Sequence, residues 1–460
     1  MKKNTRIILL VYALIEAITL MVFDGTGDAG DSIQHYIHSK FALSYPELFL
    51  DHWAKPVFVM LSFPFAQFGI PGIKLFNALV SWLAVYFACK VASQLQLQHT
   101  WLVALICIFT PMFYVLTFSG LTEPLFALFT MVCIYLYGQN RYTAATLLAS
   151  LIPFVRPEGY IMACVFALYL LHNKQWKIIP YLLAGHLLYT VAGGILHHDF
   201  LWLYHQTPYT PSGQKYGNGK LTHFVEQLYF AVGVPIFILL WMGVAAIGRK
   251  AILKQVSSQN LVLVWFGFLA FFGAHTLFRF LGLFNSMGLP RVLVGVVPLI
   301  AIIAVQGWEQ MGQGLPAARR KILDTAIFIY LVIFPFTSHP AAIRWPKDMQ
   351  LNTEQRMAKQ VAAWLSANGK SDQRLVFAHP YLGEVTQIDY FNKSQRLKLR
   401  EHNLPLMQKG DIVIWDSWYA VVEGNITRKE LNSDTSLYPL QVFTETNSKQ
   451  TVTYVVFEKH

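Results

Sequence analysis

Residues 7–36 read IILLVYALIEAITLMVFDGTGDAGDSIQHY. The run from Ile7 to Phe23 is apolar except for Glu16 and approaches the length at which a helix crosses a hydrocarbon core. Directly after it, three carboxylates, Asp24, Asp28 and Asp31, crowd together among glycines. Like charges packed where a chain leaves an apolar phase call for a reason beyond solvation, because each raises the others' proton affinity.

The rest of the chain repeats the apolar half of this stretch. The 460 residues are 55% hydrophobic and 13% charged, with a mean hydropathy of +0.41, far more apolar than a soluble fold requires. Windows of spanning length recur at roughly 7–23, 72–91, 101–118, 122–137, 143–155, 160–172, 179–196, 227–247, 260–279, 291–306 and 322–337, about eleven in all. The reading is an α-helical polytopic membrane protein over 1–338. No small-residue cleavage site follows the first run, so it reads as a retained helix. Cys89, Cys107, Cys133 and Cys164 fall in apolar windows and read as small buried hydrophobes, with no disulfide and no metal thiolate.

A net charge of +11 raises nucleic acid as a partner, but the cations are scattered in loops without a stripe or motif. They report topology instead. Lys2, Lys3 and Arg6, Lys90, Arg141, Lys174 and Lys177, Arg249, Lys250 and Lys254, and Arg319, Arg320 and Lys321 share one side if the spans alternate. The positive-inside rule makes that side cytoplasmic, so the N-terminus lies inside and the chain beyond Phe336 outside.

The chemically interesting loops then share the outer face. The first, 24–71, holds the three Asp residues, Tyr36, His52 and Lys55; within it Ser32 to Leu43 has the periodicity of a short surface helix with Asp31 at its N-cap, and 51–72 is apolar but cut by prolines, as in a re-entrant segment. Next come SGLTEPLF around Glu123, RPEG with Arg156 and Glu158, the long loop 197–226, and Arg279 and Arg291 flanking a later turn. In the long loop, His197, His198, His205 and His223 lack a tight zinc spacing, and Trp202, Tyr204 and Tyr209 suit an interfacial belt. Glu16, His186 and His275 lie inside apolar windows, where a transporter would keep ionisable groups. The tail, 339–460, is polar, with a helical stretch near 354–368 and strand-like runs RLVFAHP, DIVIWD and TVTYVVFE, which read as a small α/β extracytoplasmic domain.

An acidic first outer loop, Asp31 to Tyr36 spaced as Asp-x-x-x-x-Tyr, Lys55-Pro56, LTEPLF at 121–126 and RVLVGVVPL at 291–299 resemble the GT-C superfamily of membrane glycosyltransferases, in particular bacterial enzymes similar to protein mannosyltransferases and aminoarabinose transferases. The sequence has Asp-Ser at 31–32 where several relatives carry two acids, and Lys-Pro-Val where many carry Lys-Pro-Pro, which leaves open which Asp is catalytic. The resemblance implies a polyprenyl-phosphate-linked sugar donor among the membrane lipids, and an unidentified glycan, lipid or protein acceptor. It implies Asp31 as general base, with Asp28 and Asp24 in support, and direct displacement with inversion.

Arg291, Arg279, Lys55 and Arg156 are the candidates for the donor phosphate, and Glu123, Glu158, Tyr36 and His52 for the sugars. Each residue also has a bland reading. Asp31 suits a helix N-cap, Asp24 and Asp28 a solvated turn, Glu123 a helix start, Arg156 and Glu158 an internal ion pair, and Arg291 a snorkelling cation. The Asp trio could alternatively hold Mg or Mn, although no fourth ligand stands out. Asn392 and Asn425 begin possible glycosylation triplets. A bacterial inner membrane is the expected setting, and a transporter or flippase for a lipid-linked glycan is the alternative function.

Overall fold

A computed structural model describes residues 2–28, 30–208, 217–253, 259–446 and 451–460. Tyr209, Lys254 and the middle of the 197–226 loop lie outside the described residues.

Among the described residues six helices are long and apolar enough to cross a membrane: Lys3–Val22, Gly69–Gln94, Trp176–His197, Val234–Ile252, Leu261–Leu281 and Pro290–Met311. A seventh candidate is broken, because Thr100–Phe109 and Pro111–Thr117 meet at 70°; the break falls at Pro111, which has no N–H to continue the helical ladder. Against about eleven apolar windows in the sequence, the described residues thus hold six helices that pass on length and composition, or seven with the bent pair. Glu123–Gly138, Tyr142–Val155 and Gly159–His172 are apolar but shorter, and Ala317–Ile333 has 17 residues. Hydropathy counts apolar residues, whereas the turns at Asn140 and Arg156 cut the run into pieces.

Pro290–Met311 is the centre of the bundle, with 89% of its most apolar window buried, against 28% for Lys3–Val22 at the rim. Its partner is Val234–Ile252, and glycines set their separation. A Cβ on Gly243 would lie 2.0 Å from the Ile303 carbonyl oxygen, and one on Gly307 would lie 2.6 Å from the Gly243 nitrogen. Apolar helices in lipid gain little from burial alone, so close backbone approach through small residues holds them together. Cys89, Cys107 and Cys133 are buried as expected; Cys164 is exposed on the flank of Gly159–His172, which corrects its reading as buried.

The first loop folds as the helix Asp31–Phe41, a short turn, and the helix Pro56–Ala66. The first of these does not lie open on a surface. Ile33, Tyr36 and Ile37 are buried, and so are His35, His38 and Ser39 on its polar side, because the segment 53–62 packs on His35 and Ser39 and the tail's Phe391 packs on His38. The tail is a five-stranded sheet: β1 (Leu375–Phe377), β2 (Arg396–Lys398), β3 (Ile412–Asp416), β4 (Leu437–Thr446) and β5 (Thr451–Lys459), in the order β2-β1-β3-β5-β4. β1 is parallel to β2 and β3, and β5 is antiparallel to β3 and β4.

Strand alternation divides the sheet's two faces. Leu375, Phe377, Ile412, Ile414, Tyr454 and Val456 pack with the helix Thr353–Ala367 into the core that continues through the bundle, while Val376, Val413, Trp415, Val455 and Phe457 close a separate core. Polar ties then seat the tail on the first loop: Tyr36 Oη and Lys40 Nζ donate to Glu384 Oε2 at 2.8 and 2.9 Å, Tyr45 Oη to Asp389 Oδ2 at 2.9 Å, and Tyr390 Oη to Gln34 Oε1 at 3.0 Å.

The glycine contact gives a direct test. Gly243→Leu and Gly307→Leu are each expected to cost about 1–3 kcal/mol through overpacking, read as an earlier thermal transition by tryptophan fluorescence in detergent. Gly273→Ala, which meets nothing within 4 Å, should not lower it. A Gly243→Leu variant as stable as the parent would rule out this packing.

Candidate functional site

Four segments distant in sequence meet at one end of the bundle through an alternating chain of carboxylates and guanidiniums. Arg291 is at the second position of the Pro290–Val296 turn that leads into the central helix, and Pro290 pre-sets that turn's first φ. Its guanidinium bonds Asp28 Oδ2 through Nη1 and Asp31 Oδ2 through Nη2, and its Nε lies 3.6 Å from Glu123 Oε1. Arg156 continues the chain. Its Nη1 is 2.8 Å from Glu123 Oε1 and donates to Thr122 Oγ1 at 2.9 Å, and its Nε and Nη2 grip both oxygens of Glu158 at 3.2 and 2.8 Å. His275 Nε2 ends it, 4.0 Å from Glu158 Oε1.

Local structure explains why Asp28 and Asp31 differ. The helix Asp31–Phe41 starts after Gly30, so Asp31 is its first residue and not its N-cap, a correction of the sequence reading. Asp28 performs the capping: its Oδ1 accepts from the Gly30 and Ser32 amides at 3.1 and 2.9 Å. Burial raises its proton affinity, Arg291 opposes that, and Asp31 adds to it.

Asp31 is left as the reachable carboxylate, its side chain 45% exposed against 22% for Asp28 and 1% for Glu123. Its Oδ1 takes part in no hydrogen bond among the described residues. It lines a cleft of about 670 Å³ between the first loop and the tail, with Arg291, Gln34 and His38 on one side and Lys398, Arg400, Trp418 and Tyr419 on the other. Tyr419 packs so close that a Cβ on Gly30 would lie 1.9 Å from its hydroxyl, so glycine is required there.

The other expected residues divide. Asp24 does not join the cluster: its Oδ1 accepts from the Leu351 amide at 3.0 Å and anchors the tail. Tyr36 is buried on Glu384, and Arg279 donates to the carbonyls of Gly217 and Ser286 at 3.0 and 2.9 Å, away from the carboxylates. Lys55 and His52 line a small cavity of about 80 Å³ beside Pro153 and Tyr160. The imidazole of His52 meets Trp202 at a tilt of 50°, 4.7 Å between centroids, and burial followed by the Lys55 charge pushes its pKa down to about 4. Trp202 is itself buried and donates to the Tyr189 carbonyl at 3.0 Å, so it is no interfacial belt residue; Tyr204 is exposed. A guanidinium, not a gap between oxygens, stands between Asp28 and Asp31. Among the described residues no three His, Cys, Asp or Glu gather as metal ligands.

Sequence reading missed Trp418, Tyr419, Lys398 and Arg400, because nothing in the tail announced which of its edges faces the bundle. It noted His275 only as an ionisable group in an apolar helix. The basic residues do carry a signal, the alternation RLKLR at 396–400.

Lys55 provides the test of these electrostatics. It takes a left-handed φ of 67° ahead of Pro56, and its Nζ donates to the His52 and Trp53 carbonyls at 3.2 and 2.9 Å. Burial first and then the Arg156 charge bring its pKa down to about 7, against the opposition of Glu158, Asp51 and Asp31. A folded value below the unfolded one means that the cost of burying the ammonium is complete below pH 7 and is relieved as pH rises toward the unfolded value near 10.4. Competitive labelling with an amine reagent should therefore show Lys55 reacting with a midpoint near neutrality, unlike surface lysines. A midpoint near 10 would mean that Lys55 is solvated.

No known family profile matches the sequence, and no curated protein sequence does. Among solved structures, the chain is similar to ArnT from Cupriavidus metallidurans, crystallised in the apo state, with a TM-score of 0.63 at 10% identity over 97% of both chains. The likeness spans bundle and tail together, so the chain shares the overall fold of that structure, helical bundle and C-terminal sheet alike.

Proposed function

We propose that the chain is a membrane glycosyltransferase that takes a sugar from a polyprenyl phosphate at the extracytoplasmic face and passes it to an acceptor hydroxyl, with Asp31 as general base. The observation that carries this is the exposed Asp31 carboxylate, fixed by Arg291 and opening on a cleft that begins where the helices end. A lipid-held sugar reaches such a place without leaving the bilayer, and a water-borne acceptor reaches it from the other side.

The acceptor hydroxyl attacks the anomeric carbon, its proton passes to Asp31 Oδ1, and the bond to the phosphate oxygen breaks in the same displacement, so the anomeric configuration inverts. Asp28 shapes the helix start that aims Asp31. Arg156, Glu123 and Glu158 hold Arg291 and the neighbouring segments in register, and Lys55 faces Glu158 and Asp31 from behind.

The test uses full-length protein in nanodiscs, a panel of radiolabelled polyprenyl-phosphate sugars and crude envelope acceptors. One donor should be consumed, Asp31→Asn should slow transfer about 10²- to 10⁴-fold while still binding that donor, and Asp24→Asn, which keeps the tail anchor, should stay within a few-fold of wild type. Rates unchanged by a chelator would exclude a divalent ion on the carboxylates as a participant. If no donor is consumed and substitution at Glu16 abolishes movement of a lipid-linked glycan across the bilayer, transport replaces transfer; Glu16 is buried in the first helix with Oε1 lacking a hydrogen-bond partner.

A further inference from the structure

Every arginine expected to meet the donor phosphate is already engaged: Arg291 with Asp28 and Asp31, Arg156 with Glu123 and Glu158, and Arg279 with two backbone carbonyls. Among the described residues, the cleft-lining cations that pair with no carboxylate are on the tail, Lys398 and Arg400, with Arg396 beside them on β2 but outside the lining. Arg396, Lys398 and Arg400 follow one another at every second residue along β2 and its extension, so one face of the strand carries them all, while Leu397 and Leu399 turn into the tail's own core.

β2 is the sheet's edge strand, and the residues that follow it border the cleft opposite Asp31, where Lys398 and Arg400 line the wall. Among the described residues Arg400 Nε, on the cleft wall, is buried without a hydrogen-bond partner, and so are Nε and Nη2 of Arg396 behind it. Arg396 lies over the Tyr390 ring, 3.5 Å from its centroid, and Tyr390 is in turn bonded to Gln34 on the first loop, so the basic face is held rigidly against the site. Buried donors left unmet cost free energy unless a ligand meets them.

We propose that Lys398 and Arg400, backed by Arg396, form a phosphate-binding site on the tail's wall of the cleft, facing Asp31 and Arg291. The inference rests on the proposed function only for the source of the phosphate. Several acceptor oxygens are needed to satisfy donors that approach from successive strand positions, which a phosphate supplies. Such a site retains its anion by charge-assisted bonds and places the attached group within the cleft that Asp31 lines. The ammonium of Lys398 is already depressed to about pKa 8, by burial first and then by Arg400 and Arg396, with Glu423 in partial opposition; a bound dianion would reverse that.

The experiment measures binding, not turnover, so it stands even where no sugar is transferred. Full-length protein in neutral-lipid nanodiscs is titrated with radiolabelled polyprenyl phosphate, and separately with a water-soluble sugar phosphomonoester, at low and moderate salt. Wild type should bind at least one of them with salt-sensitive affinity; Lys398→Gln with Arg400→Gln should weaken that ligand at least tenfold without moving the thermal transition, and Lys398→Arg should retain it. A loss confined to polyprenyl phosphate assigns the site to the donor's leaving group, and a loss confined to the phosphomonoester assigns it to an anionic acceptor. Unchanged binding of both in the doubly substituted, folded protein overturns the proposal.

Discussion

The pairing of Arg291 with Asp28 and Asp31 is the interaction on which the rest of the site depends. A guanidinium at the mouth of an apolar bundle is costly without counter-charge, and a carboxylate there is costly without a cation, so neither half is stable alone. Because the partners come from the first loop and from the start of the central helix, the pair fixes where both elements begin. Glu123 and Arg156 carry the same logic to two more segments, since Glu123 lies near both guanidiniums and is nearly inaccessible to water. Neutralising any member would strand its neighbours, which is why the network behaves as one unit and not as separate surface bridges.

Much of this was legible in the sequence, and the reasons are specific. Asp28, Asp31, Glu123, Arg156, Glu158 and Arg291 all stand at the edges of apolar runs, where charge is conspicuous, and the structure brings them together. The spans were harder to count, because turns such as Asn140–Arg141 interrupt helices without interrupting hydropathy. Asp24 enters the site reading as one of three crowded carboxylates and Tyr36 through its spacing from Asp31; in space their partners are Leu351 and Glu384, and no local pattern foretells a tie across more than 300 positions.

The tail shows the opposite balance. Its helix and the strands β1, β3 and β5 correspond to the strongly patterned stretches of sequence. β2 is three residues long, and β4, though it opens on the apolar LYPLQVF, carries Pro439 and is mostly exposed, so neither has the strict pattern of a buried strand. β2 nevertheless carries the basic face on the cleft. An edge strand written RLKLR satisfies its core with the leucines, and its charges also discourage edge-to-edge pairing. The unmet nitrogens on Arg396 and Arg400 go beyond that protective role, because solvated edge charges would have no need to be buried.

The two walls of the cleft thus divide the electrostatic work. On the bundle side, four carboxylates, Asp28, Asp31, Glu123 and Glu158, share two guanidiniums, so that wall holds its cations tightly and has anionic charge to spare. On the tail side, cations outnumber their partners. An Arg291 with both ends occupied offers nothing to a phosphate until one carboxylate lets go, and Asp31, the more exposed of the two, is the one that water or substrate can compete for. A phosphate held first by the tail would sit opposite this pair, its charge repelling the carboxylates and attracting the guanidinium. In that arrangement the approach of the anion and the release of Asp31 from Arg291 favour each other, because both exchange one oxygen ligand of the guanidinium for another without leaving it unpaired.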